Sequence, residues 1–319
     1  MSRIITSNTT LPVEPLSESE IIFAAIAAII FSFVGTVVNL YKIVTLSRCQ
    51  TRFQATTKMI ISLSTSDFLF CIVNLPILGA SFIYYNDGSV FQEWLQETVL
   101  CHWVPFFFYG NCATSMVNLV AISITRYILI CHSYDKYIHI YYKSKFNISR
   151  IIKFIWVFSY GLLILPYFEV WGKFGKAIER PWCTILPKNG HSPKVFYIIL
   201  AFVVPCVVII TCYTAIFIKV RRDYKQNDLQ LLKMMLIIFS VFFIGFLPSV
   251  IVNAIDRFVQ RPSIHIIPNA LFWAIPTINP FIHGALDKIL GQTLLNFGGV
   301  YKPRGQTRGE GGFSDDHNT

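Results

Sequence analysis

Long apolar runs alternate with short polar segments over most of the chain. The first run, Ile21 to Leu46, holds one basic residue, Lys42, near its far end and no acid. At a rise of about 1.5 Å per residue, such a run crosses a hydrocarbon layer of about 30 Å. The same reading predicts seven spanning helices, at about 20–46, 56–84, 98–132, 149–171, 194–221, 227–257 and 264–285. An odd number puts the two ends on opposite sides of the membrane. The expected organisation is an extracellular N-terminus (1–19), a helical membrane domain (20–285), a short amphipathic eighth helix along the inner surface (286–297) and a disordered cytoplasmic tail (298–319). The polar start carries Glu14, Glu18 and Glu20 and lacks a signal-peptide pattern, so the first helix is expected to act as its own signal anchor.

Composition changes the picture little: 54% of residues are hydrophobic and 14% charged, against about 25% charged in soluble domains. A soluble enzyme, a fibre and a disordered chain are excluded, which leaves an all-α membrane protein surrounded by lipid. The net charge of +10 raises nucleic acid as a partner, but the charges are not gathered on one surface as that reading needs. They sit between alternate runs, in groups around Arg48–Lys58, Lys136–Lys153 and Lys219–Lys225 and in the tail, whereas Tyr84 to Leu100 has three acids and no base. This is the positive-inside pattern. It places the N-terminus outside, where the sequon Asn8-Thr9-Thr10 is open to glycosylation or is a chance match. Asn147-Ile148-Ser149 falls in a basic inner loop and is expected to stay unmodified.

Each run holds one or two polar or helix-breaking residues: Gly35 and Asn39 in the first, Leu63-Ser64-Thr65-Ser66-Asp67 in the second, Cys101 and Thr125-Arg126-Tyr127 at the two ends of the third. Trp156 and Pro166 follow in the fourth, Pro205 and Tyr213 in the fifth, Phe242 and Pro248 in the sixth, Asn279-Pro280 in the seventh. In this order and at this spacing they resemble the rhodopsin-like G-protein-coupled receptors over nearly the whole chain. Pro105 to Asn111 and Arg126 to His132 further resemble the insect Moody and Trapped-in-endoderm receptor group.

Asp67 is the only acid deep within any run, and burying it is costly unless it is paired or solvated. Asn39, Asn111, Ser115 and Asn279 are candidate partners, Asn111 and Ser115 sharing one helix face. The resemblance implies an allosteric sodium pocket here; the alternative is a network that only joins helices. No other cofactor is expected. The resemblance also implies a disulfide between Cys101 and Cys183, both on the outer side. It implies that Arg126 pairs with Asp228 at the base of the sixth helix in the inactive state, because Thr125 replaces the usual neighbouring acid. A generic arginine at the inner surface is the other reading.

Pro205, Met116, Phe242, Phe246, Pro248, Pro280 and His283 match the family's activation switch with two departures. Phe246 stands where a tryptophan is usual, and His283 replaces a tyrosine expected to approach Tyr213 on activation. That histidine either hydrogen-bonds in its place or caps a polar patch. The resemblance implies a ligand pocket lined by Phe108, Tyr109, Asn253, Asn269 and Trp273. Its aromatic lining suits a lipid-like ligand better than a monoamine, and Glu169, Asp256 and Arg257 at the rim leave a peptide open. Trp273 takes the place of an opsin's Schiff-base lysine, which argues against a light sensor. The implied function is transduction to a heterotrimeric G protein at the plasma membrane. Arrestin binding is expected to be modest, with Thr307, Ser314 and Thr319 the tail's phosphorylation candidates, and strong ligand-driven recruitment would overturn this. The rival class is a non-signalling transporter or channel, which ion flux in voltage-clamped cells would reveal. Scattered histidines (His102, His265, His283) argue against a seven-helix metal hydrolase.

Overall fold

Ser17 and Glu20 close a capping box at the head of the first helix: Ser17 N–H donates to Glu20 Oε2 at 2.8 Å, and Glu20 N–H donates back to Ser17 Oγ at 3.4 Å. The computed structural model describes residues 15–48, 54–85, 100–132, 145–176, 181–188, 193–223, 226–256 and 261–298, without the side chains of 54–56, 100, 145–146, 223, 226–235, 238 and 283–298. Helix α1 spans Glu18–Arg48. Helix α2 is built from Gln54–Leu69, a π-helical turn over Phe70–Asn74, and Leu75–Ile83. Helix α3 is Leu100–Cys131 and α4 is Lys145–Gly161, followed by a short turn of helix at Ile164–Tyr167. Strands β1 (Lys173–Lys176) and β2 (Cys183–Leu186) form an antiparallel hairpin with Phe174 opposite Ile185. Helix α5 joins Lys194–Ile198, a second π turn at Ile199–Val203, and Val204–Asp223; α6 is Gln226–Ile255 and α7 is Ser263–Gly298.

Helices α1, α2, α3 and α5 each supply a stretch long and apolar enough to cross a bilayer, α4 does so together with the turn that follows it (Asn147–Tyr167), and α6 adds a shorter apolar stretch, Phe239–Ile255. Large apolar side chains such as Phe33, Val157, Val207 and Ile244 are exposed on the outer faces, as a lipid-facing bundle requires. Inside, α1 packs on α2 and α7, α3 on α2, α4 and α5, and α6 on α7. Two glycines permit the tightest approaches. A Cβ on Gly35 would lie 2.8 Å from Thr277 Oγ1, and one on Gly110 would lie 2.7 Å from Tyr160 Cζ.

Prolines explain much of the local irregularity, since each lacks an N–H and crowds the carbonyl four residues back. Pro76 follows one π turn and Pro205 the other; at each, the backbone bond reaches five residues, Leu75 to Phe70 and Val204 to Ile199. The carbonyls released in this way take side-chain donors from neighbouring helices. Ser32 Oγ donates to Cys71 O at 2.9 Å, across from α1 to the α2 π turn. Asn39 Nδ2 donates to Pro276 O at 2.9 Å, where Pro280 has no N–H to offer. Tyr197 Oη donates to Leu162 O at 2.8 Å, the acceptor that Pro166 leaves free.

Two expectations need correction. The fourth helix was expected to run to 171, yet α4 ends at Gly161 and the chain turns again after Pro166, with Glu169 at φ 56° and Gly172 at φ 75°. The stretch 286–297 is helical but continuous with α7 rather than a separate eighth helix. No proline or other strong stop lies between Pro280 and the Gly298-Gly299 pair to interrupt it.

Candidate functional site

Six helices and the β1–β2 hairpin enclose a cavity of about 210 Å³ in the outer half of the bundle. All five residues expected in the ligand pocket line it: Phe108 and Tyr109 from α3, Asn253 from α6, Asn269 and Trp273 from α7. Met116 and Phe246, expected in the activation switch, line it too. The hairpin is fixed above α3 by the Cys101–Cys183 disulfide and by the Tyr109 Oη to Thr184 Oγ1 hydrogen bond of 2.8 Å. Phe174 and Ile185, facing one another across the hairpin, are buried with Leu163 against Phe106, Tyr109, Tyr167 and Tyr197.

The polar groups of the α6–α7 wall are largely bonded to one another. Ser249 Oγ donates to Asn269 Oδ1 at 2.9 Å, and Asn253 Nδ2 donates to Ser249 O at 2.8 Å. At the outer edge His265, which lines the cavity, faces Asp256 Oδ2 at 3.2 Å. At the rim Glu169 lies outside the cavity. Its oxygen Oε2 accepts from Lys188 Nζ at 3.1 Å, and this ammonium holds the carboxyl below the usual carboxylate range.

Below the cavity, Asp67 is buried with 1% of its surface exposed. Its two oxygens accept separate hydrogen bonds, Oδ1 from Ser115 Oγ at 2.8 Å and Oδ2 from Asn279 Nδ2 at 2.8 Å. Two of the four candidate partners are thus in place, and the other two point elsewhere. Asn39 Nδ2 bonds Gly35 O and Pro276 O, while Asn111 Oδ1 accepts from Tyr160 Oη of α4 at 2.7 Å. Ser66, beside Asp67 in the chain, takes a place in the network instead: it accepts from Ser115 at 3.2 Å and donates to Asn111 O at 2.8 Å.

Rings run down from the cavity toward the inner half. Phe108 meets Phe272 at 5.7 Å, Phe272 meets Phe246 at 4.8 Å edge to face, and Phe246 stacks on both Phe242 (5.2 Å) and Phe202 (5.3 Å). Phe202, Phe243, Phe239 and Tyr213 continue the series at 5.9, 5.8 and 6.4 Å. Tyr213 Oη accepts from Ser123 Oγ at 2.8 Å, so in this state it is bonded to α3. One turn further on, Thr125 Oγ1 donates to Ala121 O at 2.7 Å and Tyr127 meets His132 edge to face at 5.5 Å. Arg126 is half-buried at this end. Pro205 and Pro280 are buried and Pro248 lies within α6. The side chains of Asp228 and His283 and the whole of Asn8 lie outside the described residues.

Asn74, Ser159, Thr184, Ser249 and His265 also line the cavity, though the sequence pattern did not assign them to it. Pro76 was the available signal for Asn74, because a proline two residues on disturbs the helical phase at that point.

A family profile described as 7 transmembrane receptor (rhodopsin family) matches residues 38–283. The Drosophila melanogaster protein trapped in endoderm-1 is 36% identical over 85% of this chain and 76% of its own length. The Drosophila melanogaster G-protein coupled receptor moody is 29% identical over 85% of this chain, which spans 50% of that relative. Among solved structures, squid rhodopsin has the same fold, with a TM-score of 0.72 at 20% identity, covering 89% of this chain and 88% of its own. With the helix order and the disulfide described above, these matches establish that the chain belongs to the rhodopsin family of seven-transmembrane receptors.

Proposed function

We propose that the protein is a plasma-membrane receptor, N-terminus outside and tail inside, that couples an extracellular ligand in the outer cavity to a heterotrimeric G protein. The observation that carries this reading is the continuity from cavity to inner half. Phe246 belongs both to the cavity wall and to the ring series that reaches Tyr213. A ligand that presses on Phe246 or Phe272 favours one packing of α6 over another, and Pro248 supplies the bend about which its inner half swings outward. Arg126 then parts from Asp228, Tyr213 leaves Ser123, and the crevice admits the C-terminal helix of the G-protein α-subunit. This is a population shift whose size is set by the ligand's preference for one packing.

The short join between α5, ending at Asp223, and α6, starting at Gln226, favours the inhibitory G-protein class. Asp67, Ser66 and Ser115 offer hard oxygen donors that suit a sodium ion, which would supply a countercharge to the carboxylate and favour the inactive packing. The decisive experiment compares basal activation of each α-subunit class by wild type, Asp228→Ala and Arg126→Ala at equal surface expression. Asp228→Ala is expected to raise basal activity severalfold in one class, and Arg126→Ala to abolish it. Unchanged activity in Asp228→Ala refutes the restraint. Silence in every class for all three proteins moves the reading to a transport or non-signalling role.

A further inference from the structure

The cavity's polar groups are unevenly satisfied. On the α6–α7 wall Ser249, Asn253 and Asn269 bond among themselves. On the opposite side, Asn74 of α2 is 1% exposed, and neither its Nδ2 nor its Oδ1 has a hydrogen-bond partner among the described residues. Ser159 of α4, 0% exposed and also on the cavity wall, has an Oγ in the same condition. A buried amide without a partner is unfavourable, and a group offering both a donor and an acceptor satisfies it.

The surroundings narrow the class further. Ile77 and Leu78 of α2, Phe108 of α3 and Trp273 of α7 line the same cavity, and no acid lines it among the described residues. Its ionisable bases sit at the outer edge: Lys194 at the start of α5, and His265 beside Asp256. A carboxylate ligand would be drawn to that edge and away from Asn74, and an ammonium would find no counterion. Resting on the cavity being the ligand site, we infer that Asn74 is a specificity-determining residue that recognises an uncharged head carrying both donor and acceptor, a carboxamide, on an otherwise apolar or aromatic ligand. The head's N–H donates to Asn74 Oδ1 and its carbonyl accepts from Asn74 Nδ2.

Four soluble probes of matched size test this on the full chain in lipid nanodiscs: 3-phenylpropanamide, its methyl ester analogue, 3-phenylpropanoate and 3-phenylpropylamine. Apparent affinities come from probe-dependent shifts in thermal unfolding. Wild type should bind the amide at least about tenfold more tightly than the ester, about 1.4 kcal/mol, and more tightly than either charged probe. Asn74→Leu should bring amide and ester within about twofold of each other by weakening the amide alone. It should also raise the melting temperature without probe, because it removes a buried unpaired amide while keeping the same branched skeleton beside the cavity. Asn74→Ala serves the same comparison if the leucine variant does not fold.

A preference that survives both substitutions, or tighter binding of the carboxylate or the amine, overturns the inference. Equal binding of amide and ester to wild type, both weakened by Trp273→Ala, overturns the carboxamide head and leaves the cavity as the ligand site. Binding by none of the four at their solubility limits overturns the head and the cavity reading together.

Discussion

Withdrawing the two donors that meet Asp67, one at a time, measures what the buried carboxyl group contributes to joining the bundle. Ser115 reaches Oδ1 from α3 and Asn279 reaches Oδ2 from α7, each at 2.8 Å, so three helices meet at one side chain. A hydrogen bond to a charged acceptor contributes about 1.5–3 kcal/mol and a neutral one about 0.5–1.5 kcal/mol. Asn279→Ala should therefore lower stability by about 2 kcal/mol in wild type but by only about 1 kcal/mol in an Asp67→Asn background. The coupling of about 1 kcal/mol lies within the range such cycles resolve. Since about 1 kcal/mol moves the melting temperature of a large domain by about 2–4 °C, the two backgrounds should differ by a few degrees. The assay is thermal unfolding of purified receptor, repeated with Ser115→Ala as the second arm. Equal losses in the two backgrounds would refute the reasoning, because the donors would then act without regard to the carboxyl group. A cycle that couples through Asn279 but not Ser115 would place the load on the α2–α7 contact alone.

Gly110→Ala should destabilise the protein by about 1–3 kcal/mol, since its Cβ would meet the Tyr160 ring; thermal unfolding reads this, and Tyr160→Ala in the same chain should recover part of the loss. Refutation would be a Gly110→Ala protein as stable as wild type. The Glu169–Lys188 contact should be pH-dependent. Because Lys188 holds the Glu169 carboxyl below its usual range, its contribution is fully present above the unfolded value of about 4.3 and is lost as pH falls through the lower folded one. The difference in melting temperature between wild type and Glu169→Gln, small at pH 7 for so exposed a pair, should shrink steadily as pH falls below the usual carboxylate range, and a difference that does not change with pH would count against the pairing.

The helices were legible because apolar length alone announces a membrane span, and most ends fell within a few residues of the expected positions. The fourth helix is shorter than its apolar run because Gly161 and Pro166 stop it while apolar residues continue past its end. Depth in the membrane was readable for Asn39 and Asn111, but the direction each side chain takes was not. Asn39 is drawn to a backbone carbonyl that exists as a free acceptor only because Pro280 has no N–H. A search by side-chain type omits such acceptors, and the same omission hid the roles of Ser32 and Tyr197. Phe108, Tyr109, Asn253, Asn269 and Trp273 all line one cavity, because each helix position was carried over whole from a family pattern, not inferred from chemistry. Asn74 escaped because no family motif marks it and its significance lies in having no partner, which only coordinates reveal.

The π turns in α2 and α5 have a consequence for how this pocket can change over generations. Each accommodates one residue more than an α-helical turn, so every position beyond it is rotated by about 100° relative to an uninterrupted helix. Leu78 and Ser81 reach the cavity in the phase set by Phe70–Asn74, and Ala201 and Phe202 lie within the turn at Ile199–Val203. Loss of a single residue from either turn would turn a different helical face toward the cavity with no substitution elsewhere in the helix. A one-residue insertion or deletion in either turn, far from any loop, therefore rearranges the cavity lining more than a single substitution does.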